Sequence, residues 1–249
     1  METSTNPFAK QILHGFVLVT MRVLNSYELA KNKDEIWEDV YMKIYKWICR
    51  WKRYIIFAFQ YYFIEKPRGL DFSMRDLEIP EGSGKSVHGY SKTNEKHLEN
   101  IFQRLPFMQG LSLLDAGCGK GVVLKEAAKY PFDKVSGIDI NPKLISIAKK
   151  NMRRLHLDKK IVCEEINALE FQNYGSYNVF FFFNPFDGEI LDRVIDKIIE
   201  DTYVMQKRIY IIYHNPVFKN VIEKKGIFTL KHKLYDTLKQ YETHIYTYG

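Results

Sequence analysis

From residue 113 onwards, short and nearly unbroken apolar runs alternate with longer stretches in which apolar residues recur every three or four positions. The runs closing at Leu113-Leu114-Asp115-Ala116, at Lys134–Ile140, Ile161–Ile166, Asn178–Asn184 and Arg208–His214 have the length and make-up of strands. Asn178–Asn184 reads Asn-Val-Phe-Phe-Phe-Phe-Asn, without polar alternation, which suits a central strand covered on both faces. Helical spacing covers Gly121–Tyr130, Pro142–Leu155, Glu189–Met205 and Pro216–Lys225, and Asn141-Pro142 is an N-cap followed by proline at the first helical position. Gly226–Tyr248 reads as two strands joined near Asp236. Strands alternating with helices predict an α/β fold whose sheet is mostly parallel and joined by right-handed crossovers, with a C-terminal antiparallel hairpin.

Upstream the pattern changes. Ile12–Leu24 and Trp37–Ile64 read as helices, the second without proline or glycine. On a helical wheel Lys43, Lys46, Arg50 and Arg53 share one face, and Ile44, Trp47, Ile48, Trp51 and Ile55 share the adjoining one. Cations beside tryptophans and aliphatics make an interfacial amphipathic helix, but tryptophans at helical spacing are more often core or interface than membrane anchors, so packing on the rest of the chain or on a second subunit is the favoured reading. Tyr54–Ile64 is almost wholly apolar, but its length of about 11 residues is short of the roughly 20 needed to span a bilayer. The opening residues lack the basic and apolar regions of a signal peptide. The predicted division is a helical extension at 1–65, a linker with a loop and helix at 66–110, and an α/β domain at 111–249.

The chemistry is concentrated at strand ends. Asp115-x-Gly117-x-Gly119-x-Gly121 lets the backbone turn sharply and approach a ligand closely. A dinucleotide fingerprint starting at Gly117 would need glycine at 122, where the chain has Val122. Asp139 ends the next strand about 20 residues on, where a carboxylate can accept both hydroxyls of a ribose. The spacing resembles the first motif of class I S-adenosylmethionine-dependent methyltransferases. That resemblance implies a Rossmann-like sheet of seven strands and S-adenosylmethionine as cofactor, with S-adenosylhomocysteine as product.

By the same resemblance Asp115, Gly117, Cys118, Gly119 and Gly121 form the cofactor loop, Ile140 packs on the adenine, and Asn167-Ala168 stands where the family often has Asp-Ala near the adenine amino group. Asn184-Pro185-Phe186 matches the first two positions of the Asp/Asn/Ser-Pro-Pro-Tyr/Phe motif of amino-group methyltransferases. There the side-chain oxygen and a backbone carbonyl accept from the target nitrogen; the second proline is absent here. Tyr90-x-x-Thr93, before a helix starting near Asn94 with Thr93 or Asn94 as cap, looks like the cofactor-covering loop of non-SET histone lysine methyltransferases. It is more similar to that of bacterial methyltransferases carrying Tyr-x-Pro-Thr/Ser and Asn-Pro-Phe, a likeness extending from Arg68-Gly69-Leu70-Asp71-Phe72-Ser73 over roughly 65–249. The histone enzymes carry glutamate where this chain has Lys92, so a histone substrate is not implied. Tyr90 would close the site over the cofactor's methionine end.

Composition adds limits. With 46% hydrophobic and 27% charged residues, the chain can fill a globular core. Cys49, Cys118 and Cys163 make neither a disulfide framework nor a zinc site, and they fit a reducing cytosol. The seven histidines lack ligand spacing, so no metal is expected. A net charge of +7 draws polyanions non-specifically, but Lys149, Lys150, Arg153, Arg154, Lys159 and Lys160 read as a solvated face, and nucleic acid is not indicated. Gly82–Ser86 mimics part of a phosphate loop, yet its first glycine would fall at Ile79, and a connector is the simpler reading. The expected function is methyl transfer to an unidentified acceptor, an amino group on the evidence of Asn184, with no dedicated general base. Alternatives are a membrane-surface enzyme acting on a lipid or lipid-linked glycan, and a non-catalytic binder. The expected location is cytoplasmic or peripheral at the inner membrane face.

Overall fold

The computed structural model describes residues 33–74, 92–106, 110–203, 207–236 and 241–249. The chain divides into two compact units, Met1–Phe59 and Gln60–Gly249.

In the first unit, helix α1 covers Lys33–Phe59, 27 residues. It starts four residues before the expected Trp37, and the expected helix at Ile12–Leu24 lies outside the described residues, as do Gly82–Ser86. In the second unit the chain opens with a widened π-helical turn at Gln60–Glu65 and a tight turn at Lys66–Arg68, ended by Gly69 in the left-handed conformation (φ 68°).

The second unit is built on seven strands: β1 Ser112–Ala116, β2 Lys134–Asp139, β3 Ile161–Glu165, β4 Val179–Phe183, β5 Ile209–His214, β6 Thr229–Tyr235 and β7 Glu242–Tyr248. Their order is β3-β2-β1-β4-β5-β7-β6. β1 to β5 are mutually parallel, and β7 enters antiparallel between β5 and β6. The expected seven-stranded, mostly parallel sheet with an antiparallel hairpin is therefore borne out. Helices α2 Glu95–Phe102, α3 Val122–Ala127, α4 Pro142–Arg154, α5 Gly188–Tyr203 and α6 Lys219–Lys224 cover its faces.

Period-two alternation explains how short strands fill two cores at once. Leu113, Val179, Phe181 and Ile212 point to the side of α2, α3 and α4, where Ile101, Phe102, Leu124, Ile145 and Met152 meet them. Leu114, Phe180, Phe182, Ile211 and Tyr213 point to the other side, against Leu191, Val194, Ile198 and Ile222 of α5 and α6. β5 is buried at every position, and edge strand β6 alternates between exposed and half-buried ones.

Two helices are shorter than the sequence pattern predicts. α3 stops at Ala127 rather than Tyr130, and α6 starts at Lys219 rather than Pro216, because Val217 N–H bonds back to Asn215 O and holds the chain in a turn. Part of the expected linker is core: Leu70, Phe72 and Leu98 are buried with the α2–α4 layer. Because β1 leads to β2 and β3 on one side while β4 and β5 lie on the other, the strand order reverses between β1 and β4. Crevices at the carboxyl ends of such strands are where open α/β sheets bind ligands.

Candidate active site

The turn after β1 is shaped by backbone geometry. Gly117, Gly119 and Gly121 have φ of 87°, 52° and 83°, a region that side chains disfavour. Gly117 and Cys118 N–H both donate to Ile138 O, at 2.8 and 3.0 Å, so the turn is fastened to β2. A Cβ on Gly117 would stand 2.6 Å from Pro185 Cβ, which means that the turns after β1 and β4 press directly on each other. Gly137, inside β2, has the same function on the inner side: a Cβ there would fall 2.6 Å from Cys118 Cβ. Sequence reasoning passed over Gly137 because a lone glycine in a strand carries no motif.

Asp139 receives Gly119 N–H on Oδ2 and Asn141 N–H on Oδ1, both at 2.9 Å, leaving each oxygen a further lone pair. Burial raises its pKa, and these donors work against the rise. Asp115 lies deeper. Its Oδ2 is buried and has no partner among the described residues, and burial first, then the charge of Asp139, pushes its pKa well up. Ile140 leaves 38% of its surface exposed beside Asp139, an apolar patch at a strand end. Burial also raises the Cys118 thiol well above its usual range, so it is no nucleophile at neutral pH.

Asn167 spends a lone pair locally: its Oδ1 accepts Leu169 N–H at 2.9 Å in a turn, and buried Ala168 receives the Tyr174 hydroxyl on its carbonyl at 2.7 Å. Asn184 follows β4 with φ 40°, a conformation that asparagine tolerates better than most residues. Its Oδ1 accepts the Tyr213 hydroxyl at 2.9 Å, and that hydroxyl in turn accepts Phe218 N–H at 3.3 Å. Burial lifts the Tyr213 pKa to about 12, so the hydroxyl keeps its proton and remains a donor. Phe186 stands edge-on to Phe182, ring centroids 6.2 Å apart, and Asp187 Oδ1 accepts Ile190 N–H at the start of α5. Thr93 is buried, but the cap of α2 is Asn94, whose Oδ1 accepts His97 N–H. Tyr90 lies outside the described residues.

Two constellations were not read as sites from the sequence, although Asp71, Phe72 and Ser73 of the first lie in the 68–73 segment of the family likeness. Lys120, between two of the turn's glycines, is 1% exposed and donates to both oxygens of Asp71 and to Met74 O. Asn151 on α4 fastens the same segment, accepting Asp71 N–H and donating to Asp71 O and Lys120 O. Beside it Glu65 accepts Phe72 N–H, Ser73 N–H, the Ser73 hydroxyl and the Lys92 ammonium. Burial alone would raise the pKa of Glu65, but Ser73 and Lys92 outweigh it and hold it below the usual value. The second constellation is His97 and His214, each 2.7 Å from Thr243 Oγ1. Among the described residues no cluster of His, Cys, Asp or Glu could hold a metal.

Comparison with known proteins gives the family and the fold. A family model described as a methyltransferase domain matches residues 108–245. Curated relatives include a ribosomal protein L11 methyltransferase of Staphylococcus epidermidis, 28% identical over 92 residues, covering 37% of this chain and 27% of that protein. A polyamine aminopropyltransferase of Aquifex aeolicus is 31% identical over 146 residues, covering 56% of this chain and 28% of that protein. The matched segments are thus little more than a quarter of these relatives' own length. Among solved structures, an RNA methyltransferase from Salinibacter ruber in complex with S-adenosyl-L-homocysteine aligns with TM-score 0.51 at 14% identity, over 64% of this chain and 94% of that one.

Proposed function

The chain belongs to the methyltransferase-domain family, matched over residues 108–245, and from that premise we propose that it transfers the methyl group of S-adenosylmethionine to an amino group held after β4. The observation that carries this reading is the contact between Gly117 and Pro185, which sets the cofactor turn against the acceptor turn with no room for a single Cβ.

The residues fit the cofactor. The positive φ of the glycines lets the turn's backbone approach a ligand, Asp139 has lone pairs left for a ribose diol, Ile140 offers an apolar face for a base, and Asp115 Oδ2 has no partner among the described residues. S-adenosylmethionine supplies an electrophilic methyl group on a sulfonium.

The chain's own contribution is positioning and electrostatics. The Tyr213 hydroxyl occupies one lone pair of Asn184 Oδ1 and fixes the amide plane. The second lone pair and the Pro185 carbonyl then accept the two N–H groups of an amine, which directs its own lone pair at the methyl carbon. Phe186 bounds the acceptor.

Calorimetry with S-adenosylhomocysteine tests the binding half. Asp139→Ala is expected to lose most of the affinity, and unchanged affinity would remove the central claim. Asn184→Ala is expected to bind S-adenosylhomocysteine normally while losing methyl transfer to amines. Equal turnover by the variant would move the acceptor away from this turn.

A further inference from the structure

About half of the exposed large hydrophobic side chains among the described residues lie on helix α1. Tyr41, Ile44, Ile48 and Ile55 follow one another at spacings of three, four and seven, and are 67%, 42%, 52% and 63% exposed; Ile56 widens the face at 54%. Helical spacing puts these residues on one broad stripe. At 1.5 Å per residue the stripe from Tyr41 to Ile56 runs about 22 Å, and a continuous exposed apolar row on a helix marks an interaction surface.

The charges beside it point to what covers it. Residues 43–53 contain Lys43, Lys46, Arg50, Lys52 and Arg53 and no acid, and Lys43 and Lys46 are exposed. Trp47 and Trp51 stand edge-to-face with centroids 5.9 Å apart in the same stretch. Pairing two copies of this face would bring two strips of cations together and oppose association. Anionic headgroups instead neutralise the cations while the acyl boundary takes the aliphatic side chains and the tryptophans. No helix among the described residues is long and apolar enough to cross a membrane.

We propose that α1 lies flat on an anionic lipid surface and holds the enzyme there. The inference stands apart from the methyl-transfer reading, since it rests on the first unit alone.

The test is flotation of the full-length protein with vesicles of phosphatidylcholine alone or mixed with phosphatidylglycerol. The protein is expected to float with the mixed vesicles and to be released as ionic strength approaches about 1 M, where the Debye length falls to about 3 Å. Lys43→Glu with Lys46→Glu, which keeps helix-forming side chains, is expected to reduce the bound fraction about tenfold or more, at about 1 kcal/mol for each charge. Ile48→Asp with Ile55→Asp should do the same, with S-adenosylhomocysteine binding as the check that the larger unit remains folded. The proposal is overturned if the wild type fails to float, if it floats equally on neutral vesicles, or if either double variant floats as well as the wild type. Sedimentation showing a dimer that Ile48→Asp with Ile55→Asp dissociates would assign the face to a second copy instead.

Discussion

Lys120 buries its ammonium between the two carboxylate oxygens of Asp71, 3.0 and 2.9 Å away and 49 residues earlier in the chain. A lysine in the middle of a glycine turn thereby ties the turn to the segment that enters the α/β unit.

Breaking that pair strands a charge. Lys120→Met is expected to destabilise the protein by about 1–3 kcal/mol, below the usual loss for a fully buried pair because the Asp71 side chain is 30% exposed. The turn would also lose its brace, so S-adenosylhomocysteine affinity should fall. Lys120→Met with Asp71→Asn removes both charges and is expected to recover part of the thermal stability. A double variant no more stable than Lys120→Met would refute the pairing argument.

Gly117 and Gly121 both have positive φ, but only one is crowded by backbone-anchored atoms. A Cβ at Gly117 meets Pro185 Cβ at 2.6 Å, whereas at Gly121 the nearest atom is Met152 Cε, the far end of a flexible side chain, at 3.1 Å. Gly117→Ala should therefore displace the turn after β4 and abolish S-adenosylhomocysteine binding. Gly121→Ala is expected to cost about 1–2 kcal/mol of backbone strain and to keep measurable binding. Calorimetry on the two variants decides, and equal affinities would contradict the contact.

Tyr213 reaches Asn184 without lining the glycine turn. Tyr213→Phe removes the donor to Oδ1, a bond worth about 1 kcal/mol, and frees the amide to rotate. With any amine acceptor that supports turnover, kcat should drop by about tenfold or less, while S-adenosylhomocysteine affinity stays at the wild-type value. Equal losses in both would mean that Tyr213 holds the whole site rather than the acceptor asparagine.

The parts of this molecule that could be read from the sequence are those that sit in unbroken local patterns. Gly117, Asp139 and Asn184 each close a strand, so hydrophobic runs located them to within a residue or two, and the strand order then gathered them. The Lys120–Asp71–Asn151 network and the His97–Thr243–His214 trio join residues 29 to 146 positions apart through bonds that each use at least one side chain, and no periodicity marks such pairs. Gly137 escaped for a related reason, since its need for a bare Cα comes from Cys118 on the neighbouring turn. Asn167, read by resemblance as a residue near the adenine, turns its oxygen to Leu169 N–H, a commitment that depends on a local bend its type alone does not dictate.

The histidine trio gives the protein an acid-sensitive seam. Thr243 Oγ1 has one proton to donate, so it donates to one ring nitrogen and accepts from the other histidine, an arrangement that needs the accepting ring to be neutral. Burial, reinforced by His97, lowers the His214 pKa to about 3, and burial lowers that of His97, partly offset by Asp236. An unfolded histidine titrates near pH 6.5. Above that pH neither state binds the proton and the trio contributes fully. As pH falls through about 6.5 towards 3 the unfolded chain takes the proton alone, and stability declines by up to about 1.4 kcal/mol per pH unit for His214. Asp115, whose pKa is raised in the fold, works in the opposite direction, gaining stability as pH falls through its folded value, so an uncorrected acid profile mixes the two. The difference between wild type and His214→Gln isolates the histidine, because glutamine keeps hydrogen-bonding capacity and does not titrate. Urea unfolding at pH 7.5, 6 and 5 should show the wild type losing stability relative to His214→Gln as the pH drops; parallel curves would mean that His214 is protonated in the fold and that Thr243 accepts from both rings.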